Sequence, residues 1–135
     1  MEEVSSGMIE YARKSDKIAK EFTIVTPRDL DAVRDQNSVI LLRKKTFPKG
    51  SLGEITGAVM EAFPPNAKVP VAAGDINAIK AVDAAGTQYV IVAFHGDTNG
   101  LATIPVLDAI IKLMKTDPTL SNHRLIFGLD ANTYE

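Results

Sequence analysis

The chain has 135 residues, and 15 Lys and Arg against 17 Asp and Glu give it a formal net charge of −2 at pH 7. Hydrophobic residues make up 45% and charged residues 24%, as in an ordinary folded domain and unlike a disordered or polycationic chain. The absence of cysteine excludes disulfide frameworks, thiol nucleophiles and Cys-ligated metal sites. With two histidines, any metal should be a hard ion held mainly by oxygen atoms.

The charge pattern and the apolar runs also limit the partners. The longest apolar run has about six residues, whereas roughly 20 are needed to cross a bilayer, so we expect no membrane span. The acidic balance argues against a large nucleic-acid footprint, because phosphate contacts need Lys and Arg. One basic cluster could still meet phosphates, although a solvated loop is the interpretation that we favour: Arg43, Lys44, Lys45 and Lys49.

In the first half of the chain, helical spacing predicts a helix over residues 7–20, and the β-branched run at 22–25 predicts a strand. Thr26 can cap a brief helical turn, with Pro27 at its first position. The apolar run 38–42 indicates a strand buried on both faces.

A second helix is predicted over residues 51–63, where Ser51 and Glu54 spell a capping box and the apolar residues recur on one face. The remaining segments are predicted as strands at 69–73, 78–82 and 89–94, a helix at 101–115 and a strand at 123–127. This order predicts an α+β sandwich forming a single domain over residues 1–135. Because no strand precedes the first helix and the chain ends just after a polar turn, we expect an incomplete portion of a larger domain.

The strongest candidate for chemistry is the last turn. Asp130 and Asn132 follow a buried strand, and an i, i+2 pair on extended backbone lies on one side. The carboxylate could activate water or hold a metal, while the amide donates to a phosphate oxygen. Asp and Asn are also preferred turn residues, so a structural role is the alternative.

His95 is the second candidate, because it ends the strand 89–94 and precedes a polar loop. A histidine there could donate to a phosphate oxygen as charge develops in a transition state. The alternative is an interior histidine with satisfied hydrogen bonds. Gly74-Asp75-Ile76-Asn77 shares the Gly-Asp-x-Asn spelling of phosphodiesterase turns, but its position between two predicted strands indicates a tight hairpin remote from His95.

Four stretches in this order resemble the endonuclease/exonuclease/phosphatase superfamily of DNase I-like nucleases, inositol phosphatases and deadenylases. The stretch from Glu3 to Ser6 is similar to a Gln-Glu-Val motif, with Glu2 where Gln is usual. The stretch 36–43 with Phe47 resembles the strand that follows it. The other two are Val92–Gly96, which resembles the strand ending in the central His, and Leu125–Asn132, which resembles the Gly-Asp-x-Asn turn with Leu129 inserted.

The resemblance implies a DNase I-like sandwich of two packed β-sheets flanked by helices. It also implies Glu3 as a ligand of Mg²⁺ or Mn²⁺, His95 as a contact to the scissile phosphate, and Asp130 and Asn132 as residues that orient the nucleophile or substrate. The family's first strand, with its Asn, and its closing Ser-Asp-His region have no counterpart in these residues. We therefore expect the chain by itself to be inactive.

Two functions follow from these expectations. The first is that the chain is the central portion of a magnesium-dependent phosphoester hydrolase, a nuclease or phosphatase whose substrate would be a nucleic acid or a phosphorylated small molecule. Alternatively, it is a catalytically silent interaction or scaffold subunit that retains the fold. In both cases its partners would include the remaining parts of the same domain or a larger assembly.

Overall fold

A computed structural model describes residues 1–132 of the chain. Within them lie four α-helices, one short 3₁₀ helix and six strands. The helices are α1 (Ser6–Lys14), α2 (Asp16–Glu21), α3 (Thr56–Glu61) and α4 (Thr103–Thr116), with the 3₁₀ turn at Pro118–Leu120. The strands are β1 (Phe22–Val25), β2 (Ile40–Arg43), β3 (Leu52–Glu54), β4 (Ile76–Val82), β5 (Gln88–His95) and β6 (Arg124–Asp130).

These strands form two sheets, so the expected α+β architecture is confirmed at that level. Strands β1 and β2 pair antiparallel, and the other four lie in the order β3-β4-β5-β6. The β4–β5 pair is an antiparallel hairpin, whereas β6 runs parallel to β5 after the α4 crossover. In the parallel pair, His95 stands opposite Asp130 at the last register position.

Three apolar clusters hold the two sheets and the helices together. Ile40 and Leu42 of the two-stranded sheet pack with Ile79 and Ile91 of the four-stranded sheet. The opposite face of the larger sheet buries Val92 and Phe94 under α4, and α1 covers the outer face of the smaller sheet through Ile9. The central strand β5 is buried from Val90 to its last residue, so the interior of the protein holds the end of β5 in place.

Two predicted helices were partly wrong. The helix expected over 7–20 breaks at Ser15, because the Ser15 side chain accepts a hydrogen bond from the Ile18 N–H and caps a new helix. The helix expected over 51–63 begins instead with strand β3, which pairs with β4. The predicted capping box does not form, since the Ser51 hydroxyl donates to the Pro48 carbonyl and the Glu54 carboxylate accepts from the Thr56 N–H.

Two further predictions were also wrong. Residues 69–73 form no strand, because Pro70 lacks a donor and the Ala72 N–H is used by the Asp75 carboxylate. No helix begins at Pro27. The chain instead turns after Asp31, whose carboxylate accepts hydrogen bonds from the N–H groups of Val33 and Arg34. Within residues 1–132, no helix is long and apolar enough to cross a membrane.

Candidate functional site

His95 ends the central strand β5 and is 8% exposed. Its backbone N–H donates to the Asp75 carbonyl at 2.8 Å, which ties it to the start of β4. Its ring Nε2 lies 3.1 Å from Asn132 Nδ2 and 3.7 Å from Glu3 Oε1. Glu3, 92 positions before His95, and Asn132, 37 positions after it, therefore meet at one imidazole nitrogen.

Asn132 follows β6 and adopts a left-handed backbone conformation, with φ of 46°. Its Nδ2 donates to the Gly96 carbonyl at 2.8 Å. Because a carbonyl oxygen can only accept, this contact assigns the nitrogen and the oxygen of the Asn132 amide. The same nitrogen faces His95 Nε2, which accepts this hydrogen bond when the ring proton lies on Nδ1. The Oδ1 atom of Asn132 is then left for a ligand.

Asp130 lies beside this contact, opposite His95 in the β5–β6 register. Its carbonyl accepts from the Gly96 N–H at 2.7 Å, and its carboxylate Oδ1 accepts from the Asn132 N–H at 3.1 Å. The side chain is exposed and does not line the cavity described below. Asp130 therefore shapes the turn that positions Asn132, and its catalytic role stays a prediction.

Glu3 reaches the same place from the start of the chain. Its backbone also has a positive φ, 54°, which is uncommon for a residue with a long side chain. Gln36 Nε2 donates to Glu3 Oε1 at 3.0 Å, and the neighbouring bridge between Val4 and Asn37 holds this segment against the start of β2. Glu3 and Asn132 are two of three non-glycine residues with positive φ in the described part of the chain. Strained backbone of this kind clusters at functional sites.

These side chains open onto a cavity of about 560 Å³. Several residues of the cavity wall lie in loops without a motif, so no sequence pattern marks them as functional. The wall contains Glu3, Arg34, Gln36, Val69, Pro70, Val71, Ala72, Asp75, His95, Gly96, Asp97, Thr98 and Asn132. Three of them are carboxylates and one is a guanidinium, so the wall is net acidic.

The expectation that the Asp75 turn lies remote from His95 was wrong. Asp75 is 4% exposed, and its Oδ1 accepts from Arg34 Nη2 at 2.7 Å. Arg34 also donates from Nε to Asp31 Oδ2 at 2.5 Å, so it lies between two buried carboxylates. No hairpin forms at Asp75 because β4 starts there and pairs along its whole length with β5, whose last residue is His95.

The ionisation of this cluster is shifted by its own contacts. The side-chain hydrogen bond from Arg34 to Asp75 raises the pKa of Arg34, with a smaller contribution from Asp31. The backbone N–H of Arg34 lowers the pKa of Asp31, assisted by the Val33 N–H and the guanidinium. Both shifts favour the charged forms, so Arg34 is a fixed cation in the cavity wall.

The sequence resemblance implies Mg²⁺ or Mn²⁺, which would need oxygen ligands in the cavity wall. Within residues 1–132, no three His, Asp or Glu side chains come together as a metal-binding group. Of the three carboxylates in the cavity wall, Asp75 accepts from Arg34 and the Ala72 N–H, and Asp97 accepts from the N–H groups of Asn99 and Ala102. Glu3 is the carboxylate closest to His95, and the Asn132 amide oxygen lies beside it. Mg²⁺ commonly binds through one or two carboxylates and keeps several water molecules, which substrate phosphates partly replace. The residues present fit such a water-rich magnesium site and do not fit an all-protein cage.

No family model and no curated protein matches this chain.

Proposed function

We propose that this chain is the central portion of a magnesium-dependent phosphoester hydrolase of the endonuclease/exonuclease/phosphatase superfamily, with a DNase I-like sandwich. One observation carries the proposal: Glu3, His95 and Asn132, predicted from separate motifs, converge on one cavity, with contacts of 3.1 and 3.7 Å at the His95 ring nitrogen. A ligand bound in this cavity could contact all three side chains.

Several groups of the cavity wall could contact a phosphoester. Asn132, held by Gly96, offers its Oδ1 atom, and His95 would contact a non-bridging phosphate oxygen. Arg34 contributes a fixed positive charge at the same wall. Asp130, beside His95, would orient the attacking water with its carboxylate.

The net acidic wall would make a bound metal ion necessary for a phosphate substrate. A phosphate anion would be repelled by Glu3, Asp75 and Asp97, which outnumber the single guanidinium. Glu3 and Asn132 would hold Mg²⁺, or Mn²⁺ in its place. The bound ion would supply charge neutralisation on the transferred phosphoryl group.

The second candidate is a catalytically silent interaction module with the same fold. The Asp130 carboxylate accepts the Asn132 N–H within its own turn, as a structural aspartate would. The described residues also lack a three-ligand metal group. Both observations are compatible with a site that has lost turnover.

The deciding experiment uses the complete gene product that carries this chain. Hydrolysis of a phosphodiester, bis(p-nitrophenyl) phosphate, and of the corresponding monoester is measured with Mg²⁺, with Mn²⁺ and with EDTA. We expect metal-dependent turnover that falls on the order of 100-fold in His95→Gln, the scale of a lost acid–base or charge-stabilising group. Asp117→Asn, a change at the turn before the 3₁₀ helix, is the matched control and should keep the wild-type rate.

Absence of turnover in the complete gene product, with binding of a partner protein retained, would favour the interaction module. Residues 1–135 by themselves should show no measurable turnover, because the family's Asn-bearing strand and Ser-Asp-His region are not among them. Magnesium-dependent turnover by this segment, abolished in Asp130→Ala, would contradict that part of the proposal. The simplest check is whether the open reading frame extends in both directions with those motifs.

A further inference from the structure

A second concave surface lies beside β1, and basic residues form much of its wall. The cavity has a volume of about 430 Å³ and is lined by Arg13, Ala19, Phe22, Thr23, Ile24, Lys44 and Lys49. Three of these seven residues are cations, and none is an acid. We call this surface the basic groove.

The three cations of the groove are not neutralised by neighbouring side chains. Arg13 Nη2 donates to the Thr26 hydroxyl at 3.3 Å, and Lys44 Nζ donates to the Ala19 carbonyl at 2.5 Å. Both partners are uncharged. In the part of the chain that the structure describes, none of Arg13, Lys44 and Lys49 forms an ion pair. Each exposed cation therefore keeps its charge for a ligand.

The charge around the groove is much larger than the net charge of the chain suggests. Residues 10–21 and 43–49, which carry α1, α2 and the turn after β2, contain eight Lys and Arg against three Asp and Glu. The other residues contain seven against fourteen. These two segments together therefore carry about +5 and the rest of the chain about −7, so the charge near the groove is opposite in sign to the total of −2.

One aromatic side chain lies among these cations. Phe22 lines the groove and is half-buried, and the Arg43 guanidinium lies 5.7 Å from its ring centroid. A positively charged groove that follows the backbone is one means by which proteins hold single-stranded nucleic acid, because its cations contact the phosphates.

The basic groove is separate from the candidate site. The candidate site lies where β2 begins, near Gln36, whereas Lys44 and Lys49 follow the other end of β2. The two cavities have no lining residue in common. The groove also holds no carboxylate, in contrast to the acidic wall around His95. Its ligand therefore does not have to be the group that the candidate site acts on.

We propose that the basic groove binds the sugar-phosphate backbone of single-stranded nucleic acid. Lys20 and Lys45 are exposed neighbours in the sequence of the lining residues Ala19 and Lys44, and these further cations favour an extended polyanion over one small phosphorylated molecule. The apolar wall residues Phe22 and Ile24 are half-buried among the cations instead of protruding, so the surface lacks the projecting apolar side chains of a membrane-binding face. The inference concerns binding alone and does not rest on the proposed hydrolysis.

The test measures binding of a fluorescein-labelled oligothymidylate of about 12 nucleotides, within the range of single-strand site sizes, to the full chain by fluorescence anisotropy. The groove variant combines Arg13→Gln, Lys44→Gln and Lys49→Gln. The control variant combines Lys112→Gln, Lys115→Gln and Arg124→Gln, which lie on α4 and β6 and remove the same charge. Circular dichroism and thermal unfolding verify that both variants fold.

We expect wild-type binding that weakens with salt and a loss of about 10-fold or more in the groove variant at low salt. The slope of log affinity against log salt should fall by about 2, because each phosphate contact on a single strand contributes roughly 0.7. The control variant should stay within about 2-fold of the wild type. Equal losses in the two variants, or no oligonucleotide binding by the wild type, would overturn the proposal. Binding to phosphatidylserine vesicles without oligonucleotide binding would also overturn it.

Discussion

Two segments of this protein carry the same Asp-x-Asn spelling and flank the same histidine. Asp75-Ile76-Asn77 begins β4, and Asp130-Ala131-Asn132 ends β6. The His95 N–H donates to the Asp75 carbonyl at 2.8 Å, and the Gly96 N–H donates to the Asp130 carbonyl at 2.7 Å. The backbones of the two segments thus perform equivalent tasks on either side of β5.

The side chains of the two segments differ in burial. Asp75 is buried against Arg34, and Asn77 is 1% exposed with its Nδ2 donating to the carbonyls of Val25 at 2.9 Å and Ser38 at 3.1 Å. Asn77 therefore joins the two sheets. Asp130 is exposed, and Asn132 turns its amide towards His95 and the cavity. The same residues serve the core where a strand is covered by a second sheet, and they remain accessible where an edge strand ends.

The largest effect is expected from the glycine that precedes the buried segment. Gly74 has φ of 84°, and a Cβ there would collide with the Gln36 carbonyl oxygen and approach Asn37 Oδ1 to 2.8 Å. Gly74→Ala should lower the free energy of unfolding by about 3 kcal/mol or more, from left-handed strain together with overpacking. Gly86→Ala is the matched control, because Gly86 has φ of 85° but open space around it.

For Gly86→Ala we expect about 1 kcal/mol, from the backbone conformation alone. Urea unfolding of both variants provides the measurement. Equal destabilisation by the two substitutions would show that the start of β4 tolerates a side chain and is less rigid than its contacts imply.

The exposed segment is tested by Asp130→Asn in the complete gene product. The substitution preserves volume and removes the negative charge that would polarise water, so turnover should fall on the order of 100-fold while the thermal midpoint scarcely moves. A purely structural turn aspartate would leave the rate nearly intact and change stability by about 1 kcal/mol. Turnover at saturating magnesium and the thermal midpoint are measured on the same variant, and an unchanged rate would leave Asp130 as a turn residue.

Substitution of the two asparagines compares the segments directly. Asn77→Ala removes both hydrogen bonds from Nδ2 and leaves the buried Ser38 carbonyl without this donor, so the free energy of unfolding should fall by about 2 kcal/mol. Asn132→Ala should lower it by about 1 kcal/mol or less, since Asn132 lies in a half-buried turn. Chemical denaturation measures both changes, and a larger loss in Asn132→Ala would reverse the assigned roles.

The smallest effect is expected in the pH dependence of stability. The Arg34 N–H lowers the pKa of Asp31 in the folded state, so the folded protein binds this proton less readily than the unfolded chain. The resulting stabilisation is present above the ordinary carboxyl pKa of about 4 and is lost as pH falls through the folded value. Asp31→Asn should therefore flatten the acid limb of the urea midpoint.

Lys112→Gln, an exposed change on α4, is the control for this titration and should keep the wild-type acid limb. If Asp31→Asn loses stability equally at every pH, the side chain acts through hydrogen bonds that the amide cannot replace. The charge on Asp31 would then make no contribution to the stability of the buried segment.

The sequence by itself determined the strands that form the core and the helix that links two of them. The continuous apolar runs around Val92 and Leu42 have one stable environment, buried between layers, and the helical spacing from Ile104 to Met114 fits a helix packed on a sheet. Local signals failed where tertiary contacts compete with them. Ser51 and Glu54 spell a helix cap, yet pairing with β4 made Leu52–Glu54 a strand.

The candidate site shows the same division. Sequence patterns identified His95, Asp130 and Asn132 as candidates, because each lies at the end of a recognisable strand, and the family resemblance added Glu3. Tertiary structure alone brought Arg34 and Asp75 to the same cavity, since the pairing of β4 with β5 aligns the start of one strand with the end of the other. Tertiary structure likewise brought Arg13 of α1 to the same groove as Lys44 and Lys49, because β1 pairs with β2 and α1 packs on the sheet that they form.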